Sequence, residues 1–398
     1  MMPSKWVALS FVGWMLSACG EASDNPTSGS TEQPSTSASL ASRGTDERAV
    51  GIAVDYAHSD KLIAGVAGGK EVVFVGQPLE GKIVALSRFT GEKLGELPPP
   101  PEGFSIPFIM HSLGEGRITV LAAGGLPRPD PFEPTKPTLH EFTYRVDRHH
   151  NFTATRIRDI RFTSVLVGFA EDFVRLDDGR YLLSDSILGS IWVVERDGSI
   201  VPGIVPRTFD RPDRIAKLAY CPTMPKIEVN GYPFLFSGST MPGVAPLAVR
   251  DGTVYYHSTC ARGLYSFPLR ILRDGRPPYQ RAGDIRLVAP TAPNLQVEEL
   301  LDFTFNPYNR FDRWLYAADP LKLRVIRIDV ETGRKQVVAD DPELFDFPSS
   351  LGFLPPIAGI SPLVVVSNQQ ERTPLTNDAV TETTFKLPFI VSKIFVGP

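Results

Sequence analysis

Residues 171–200 read EDFVRLDDGRYLLSDSILGSIWVVERDGSI. Three short apolar runs lie in this stretch, Phe173–Leu176, Tyr181–Ser184 and Ile191–Glu195. Asp178-Gly179 separates the first two, and Asp197-Gly198 turns the third into a fourth. Asp-Gly between apolar runs favours a tight hairpin, because both central residues of a type I′ turn need positive φ. The stretch therefore predicts an antiparallel β-meander.

The unit recurs. Lys82–Leu97 holds a strand pair turned at Thr90-Gly91, and Phe108–Ala123 holds another around Gly114-Glu115-Gly116. Leu139–Ile157 turns near Arg148-His149-His150. Leu247–Leu272 repeats the meander with Asp251-Gly252, and Asp274-Gly275 ends its strand pair. Leu301–Val338 repeats it with Thr332-Gly333, while Phe347–Gln369 and Lys386–Val396 supply a last unit. Comparable turns near residues 90, 149, 197, 274 and 332 give a mean spacing of about 60 residues, enough for four short strands and their connections. One such unit cannot cover its own apolar faces, so neighbours must pack in a ring. The expected fold is all-β, a six-bladed β-propeller over 49–398. Seven blades is the competing count, since residues 202–245 are long and ambiguous. Closure is expected from a strand near Ile52 or Leu62 pairing with C-terminal strands, which removes the open edges.

Bulk composition agrees. The chain has 398 residues, 42% hydrophobic and 22% charged, with Gly 33 and Pro 37, a heavy load of turn formers. A formal net charge of -4 offers no basic field for nucleic acid. Residues 1–18 combine Lys5, the apolar run Trp6–Leu16 and small residues before Cys19, the pattern of a signal peptide. Leu16-Ser17-Ala18-Cys19 resembles a bacterial lipobox, which implies cleavage before Cys19 and a diacylglycerol on its sulfur. Residues 19–48 are rich in Ser, Thr, Gly and Pro and read as a flexible tether behind the lipidated Cys19. Gly20, where an inner-membrane retention signal has Asp, resembles an outer-membrane address. The expected location is the bacterial cell envelope, lipid-anchored. No other apolar run reaches the roughly 18 residues of a spanning helix.

"YLLSDS" followed by "IWVVERDGSI" resembles the six-bladed regucalcin, gluconolactonase and strictosidine synthase group. Val229-Asn230-Gly231-Tyr232-Pro233-Phe234, Gly243–Ala248, Tyr255-Tyr256 and Leu264-Tyr265-Ser266-Phe267-Pro268 are similar to the major royal jelly and yellow protein family. That resemblance covers roughly residues 165–370. It implies a propeller whose central channel holds a small ligand. The group includes lactonases, phosphotriesterases, synthases and non-enzymatic small-amine binders, so fold alone does not choose among them.

In the hydrolytic members a divalent cation, usually calcium, sits in the channel on side chains at the starts of inner strands. By register, the matching positions are Glu171-Asp172, Gly243-Val244, Leu301-Asp302 and Ser349-Ser350. Asp172 and Asp302 are the candidate ligands of a Ca2+ ion, with Glu171, Ser350 and His111 as further channel candidates. Gly243-Val244 offers no donor where a lactonase carries Asn. The other reading of both aspartates is that they bond backbone amides at strand starts. Of the six histidines, His58, His111, His140, His149, His150 and His257, none shows zinc spacing. His149-His150 falls at a hairpin tip. His257 reads as packed, and His111 ends a strand near the channel. With Cys19 lipidated, Cys221 and Cys260 remain, as a disulfide permitted by export or as two separate thiols. Gly65–Gly69 reads as a glycine-rich turn with no following helix. No nucleophile elbow, phosphate loop or dinucleotide fingerprint is present.

Three functions fit these residues. The first is a membrane-anchored lipoprotein that binds a small organic ligand in its channel. The second is a calcium-dependent lactonase or esterase. The third is an envelope scaffold for a protein or glycan.

Overall fold

The structure is a computed structural model. It describes residues 49–114, 116–125, 136–162, 167–205, 227–235, 243–258, 263–291 and 298–396. Six four-stranded antiparallel sheets form six blades. Their inner strands are Ala64–Gly68, Pro107–Gly114, Ala170–Arg175, Val244–Arg250, Phe303–Phe305 and Pro348–Phe353, blades 1 to 6 in that order. Each inner strand touches the next, and blade 6 touches blade 1, so the ring is closed. Strand succession runs from the axis outward in blades 1 to 5 and through the first three strands of blade 6. All inner strands therefore start at one end of the channel, the entry end, and finish at the other, the exit end.

The opening meander is blade 3, with strands Ala170–Arg175, Tyr181–Asp185, Ser190–Val194 and Ile200–Ile204. Gly179 and Gly198 have φ of 86° and 88°, but Asp178 and Asp197 do not have positive φ. The Gly179 and Gly198 amides bond the Leu176 and Glu195 carbonyls, so these hairpins turn through a longer loop that ends in a left-handed glycine and not through the expected type I′ pair. Blade 6 takes its outer strand from the start of the chain. Gly51–Ser59 pairs antiparallel with Phe389–Val396, from Gly51 opposite Val396 to Ser59 opposite Phe389. This is the closure expected near Ile52.

Burial follows the ring. Between blades 3 and 4, Leu182 and Ile191 pack with Tyr256 and Phe267. Between blades 1 and 2, Phe74 packs with Ile118 and Phe142. Blades 5 and 6 share Tyr316, Phe353 and Ile394, and blades 6 and 1 share Val73, Val75 and Val364. Each blade is thus covered on both faces. That explains why Val72–Val75 and Leu363–Val366 are continuous apolar runs and not alternating ones.

Two further sequence expectations differ from the structure, and the competing seventh blade is not found among the described residues. The glycine run at 65–69 is not a turn; Ala64–Gly68 is the inner strand of blade 1. Gly65 has φ 74°, and a Cβ there would meet the Phe108 carbonyl oxygen at 2.1 Å, so the glycine permits close approach of two inner strands. Asp274-Gly275 does not form a hairpin turn. Pro268 ends a strand, and Leu269–Arg273, Pro278–Arg281 and Ala282–Asp284 form short helical turns before the outer strand Arg286–Pro290. The paired prolines Pro277-Pro278 suit a helix start. Finally, residues 202–245 contain no described blade. Ile227–Val229 and Tyr232–Phe234 make a two-stranded hairpin turned at Asn230-Gly231, and its Val229 and Phe234 cover Phe347.

That hairpin is fastened at the entry end by a buried polar cluster. Arg372 donates to Asp346 at 2.7 Å, to Glu371 at 2.9 Å and to the Tyr232 hydroxyl at 2.9 Å. Asn377 bonds the Pro233 carbonyl at 2.9 Å and accepts from the Leu235 amide at 2.9 Å. Burial pushes the Glu371 carboxyl up to about 8, and the charge of Asp346 and a hydrogen bond to it add to the shift against Arg372. A carboxyl raised by folding stabilises fully below its unfolded value of about 4.3, and that contribution is lost as pH rises through the folded value. Thermal stability should therefore fall between about pH 4.3 and pH 8, and Glu371→Gln should flatten that decline. An unchanged slope in the variant, read by scanning fluorimetry, would count against this assignment.

Candidate functional site

The channel is fastened by side chains that reach from one inner strand to the next. In blade 3, Asp172 is buried; its Oδ1 accepts from the Phe173 amide at 2.7 Å and its Oδ2 from the Leu247 amide of blade 4 at 2.7 Å. In blade 5, Asp302 does the same, with Phe303 at 2.7 Å and Leu351 of blade 6 at 2.8 Å. Ser350 donates to Asp302 at 2.8 Å, and its Oγ accepts from the Val66 amide of blade 1 at 3.1 Å. Ser184 donates to the Ala245 carbonyl at 2.6 Å. Inner strands expose main-chain groups toward a narrow lumen, and a buried N–H needs an acceptor. Short oxygen-bearing side chains supply it here.

His111, on the inner strand of blade 2, joins this set. Its Nε2 lies 3.0 Å from Asp172 Oδ1, and its ring meets Phe173 edge-on with centroids 4.8 Å apart. Burial alone lowers the imidazole pKa. The hydrogen bond and charge of Asp172, with the charge of Asp302, more than offset this, so the group is raised and favours the cation. Burial raises Asp302 to about 7, with the charge of Asp172 adding and His111, Leu351 and Ser350 pulling it back. Burial likewise pushes Glu171 up to about 7. Its partner is Ser186, at 3.1 Å, with Asp172 and Asp185 adding repulsion. Glu171 thus bonds a turn at the entry end, away from the His111 pair.

An open cleft of about 320 Å³ lies at the exit end of the channel. His111, Arg250, Thr304, Phe305, Asn306 and Arg310 supply its polar and aromatic lining. Arg250 is the last residue of its inner strand. Its guanidinium lies 5.0 Å from the Phe305 ring centroid, and Nη2 donates to the Asn309 carbonyl at 3.1 Å. Its Nη1 is buried without a hydrogen-bond partner among the described residues. The cleft therefore gathers three basic side chains, His111, Arg250 and Arg310, beside the Phe305 face, with Arg250 Nε 3.8 Å from the exposed Asp251 carboxylate.

These positions bear on calcium. A Ca2+ ion takes six to eight oxygens, several of them carboxylate. Both oxygens of Asp172 and both of Asp302 already accept main-chain or side-chain donors. Val244 brings no donor, and Ser349 bonds the Val366 carbonyl of its own sheet at 3.3 Å. Among the described residues, no three His, Cys, Asp or Glu side chains converge. The residues as arranged do not fit a calcium shell.

The remaining candidates lie elsewhere. His149 and His150 are exposed at a hairpin tip. His257 is buried, with ring nitrogens 3.1 and 2.9 Å from the Gly263 and Glu298 carbonyls. Cys19, Cys221 and Cys260 lie outside the described residues, and so do the signal and tether segments. Sequence reasoning missed Arg250, Arg310 and Asn306. Their one signal is position, directly before or within the first turn of a blade.

No protein-family model and no curated protein sequence matches the chain. Solved structures similar to it include a protein of unknown function from Bacteroides thetaiotaomicron, at TM-score 0.50 and 11% identity over 86% of this chain and 75% of that one. A gluconolactonase from Xanthomonas campestris has TM-score 0.46 and 13% identity over 87% of this chain and 90% of its own. A calcium-binding protein, regucalcin, from Agrobacterium tumefaciens has 0.45 and 12% over 86% and 96%. At such identities the likeness is one of fold alone.

Proposed function

We propose that this six-bladed propeller binds a small organic anion at the exit end of its channel, as a lipid-anchored lipoprotein of the bacterial envelope. The observation that carries the reading is the convergence of His111, Arg250 and Arg310 on one cleft. A carboxylate there gains a charge-assisted hydrogen bond, and a flat apolar body gains the Phe305 face. This cationic lining argues against the small-amine ligands that the royal jelly resemblance implies. His111 adds attraction while protonated. Affinity should therefore be highest below about pH 6.5 and fall as pH rises through its raised folded value.

Ligand-observed NMR with a panel of aliphatic and aromatic carboxylates tests the proposal. At least one acid should bind, and Arg250→Ala should weaken it by about ten-fold or more. Failure of every acid, or equal binding by the variant, would overturn it. The second reading is a calcium-dependent lactonase or esterase. It requires Asp172 and Asp302 to exchange their amide donors for a cation. Saturable calcium binding that Asp302→Asn abolishes would favour that reading over this one.

A further inference from the structure

Five large apolar side chains are exposed on exit-end connections: Phe89, Tyr308, Phe311, Ile357 and Ile360. They belong to blades 5, 6 and 1, which are neighbours around the ring. Phe311 is 82% exposed. On the same side of blade 6, Ile52 and Phe395 stand opposite each other in register and are also exposed. The exit-end connections of blades 2, 3 and 4 carry no exposed large apolar side chain among the described residues, although Val201 and Leu287, at the starts of the outer strands of blades 3 and 4, are exposed. Asp147, Arg148, Glu195, Arg196, Asp251 and Asp274 occupy those connections instead.

The apolar tips are held together. Arg88 donates to the Pro355 carbonyl of blade 6 at 2.7 Å and to the Lys70 carbonyl of blade 1 at 2.8 Å. Its guanidinium lies over Phe89 at 5.4 Å, and Arg310 lies over Phe311 at 4.8 Å. In blade 5, Arg250 holds the Asn309 carbonyl. Arg88 is buried and braces the tips, while Arg310 is exposed. An apolar tip beside an exposed arginine suits the boundary between acyl chains and headgroups, where the ring buries and the cation stays with phosphate.

The chain's own path favours a lipid surface as the occupant. Gly51 opens the outer strand of blade 6, which starts at the exit end. The sequence between Gly51 and the candidate lipid on Cys19 is the Ser/Thr/Pro-rich spacer. A coil of that length spans about 30 Å on average. The spacer thus joins the propeller on the face that carries the exposed apolar tips. We propose that the exit-end face of blades 5, 6 and 1 seats on the lipid bilayer. The proposal rests on the lipid-anchor part of the reading above and not on the anion site.

Tryptophan depth measurement tests it. The full chain is reconstituted on vesicles of phosphatidylethanolamine and phosphatidylglycerol containing brominated acyl chains. Phe311→Trp and Ile357→Trp should each lose most of their added emission, while Leu79→Trp at the entry end should keep it. Equal quenching at both ends, or none at the exit end, would overturn the proposal. In a second arm, a Cys19→Ser chain is floated with the same vesicles. Adding Phe89→Ser, Phe311→Ser and Ile357→Ser should reduce flotation by about ten-fold; unchanged flotation would overturn it. Mass spectrometry of Cys19 reads the anchor separately. An unmodified Cys19 with patch-dependent flotation would sink the anchor and keep the docking face.

Discussion

A chain beginning at Asp60, without the strand Gly51–Ser59, is expected to lose the closed ring. That strand supplies the whole outer edge of blade 6 and pairs with Phe389–Val396 along its length. Its Ala57 is part of the cluster shared with blade 1, and the Val50 amide beside it bonds the Val337 carbonyl of blade 5 at 3.2 Å. Removing it exposes a strand that ends in Ile394, Phe395 and Val396, a template for pairing with other chains. The truncated protein should elute as soluble aggregate and lose its cooperative thermal transition. A peptide of residues 49–59 should partly restore both, as a missing strand can be added back to an open edge. A monomeric truncation with an unchanged transition would contradict closure by this strand.

Asp172→Ala should be the most damaging single substitution in the channel. Deleting the carboxylate leaves the Phe173 and Leu247 amides and the His111 ring without their acceptor, all at one buried point where blades 2, 3 and 4 meet. Loss of a buried charged acceptor with several donors costs about 3–5 kcal/mol. Asp302→Ala should cost less at pH 8 than Asp172→Ala, because burial already disfavours the ionised Asp302. The pH dependence follows in sign. His111 and Asp302 are both raised on folding. The His111 contribution is complete below about pH 6.5 and the Asp302 contribution below about pH 3.9, and each is lost as pH rises through its folded value, near neutrality for Asp302. Urea unfolding should show the wild-type chain less stable at pH 8 than at pH 5.5. Asp302→Asn should narrow that difference. Equal stabilities at the two pH values would contradict the assignment.

The architecture was legible because its signals are local. Asp178-Gly179, Asp197-Gly198 and Thr332-Gly333 mark hairpins by backbone requirement, and their spacing counts blades. The exceptions are also local. Gly65 and Gly68 look like turn residues but serve a crowded axis, and the Leu269–Asp284 excursion interrupts a hairpin that Asp274-Gly275 seemed to close. The site was half legible. Register placed Asp172, Asp302 and Ser350 at channel positions, but their partners are main-chain amides of adjacent blades, which leave no mark in the sequence. The contact between His111 and Asp172 spans 61 residues of chain and depends on how two blades pack. Arg250 escaped notice because it precedes a turn pair, where an arginine reads as a solvated strand end. Its packing over Phe305 and its buried nitrogen depend on how blades 4 and 5 meet.

We propose that the channel recognises an organic anion through Arg250 and does not hold calcium on Asp172 and Asp302. Calorimetric titration of the full chain at pH 6 tests it most directly, with sodium benzoate in one series and calcium chloride in the other, each repeated on Arg250→Ala. The predicted result is one saturable benzoate site, lost in the variant, with no heat from calcium. Saturable calcium binding that survives Arg250→Ala, together with no benzoate binding, would contradict it.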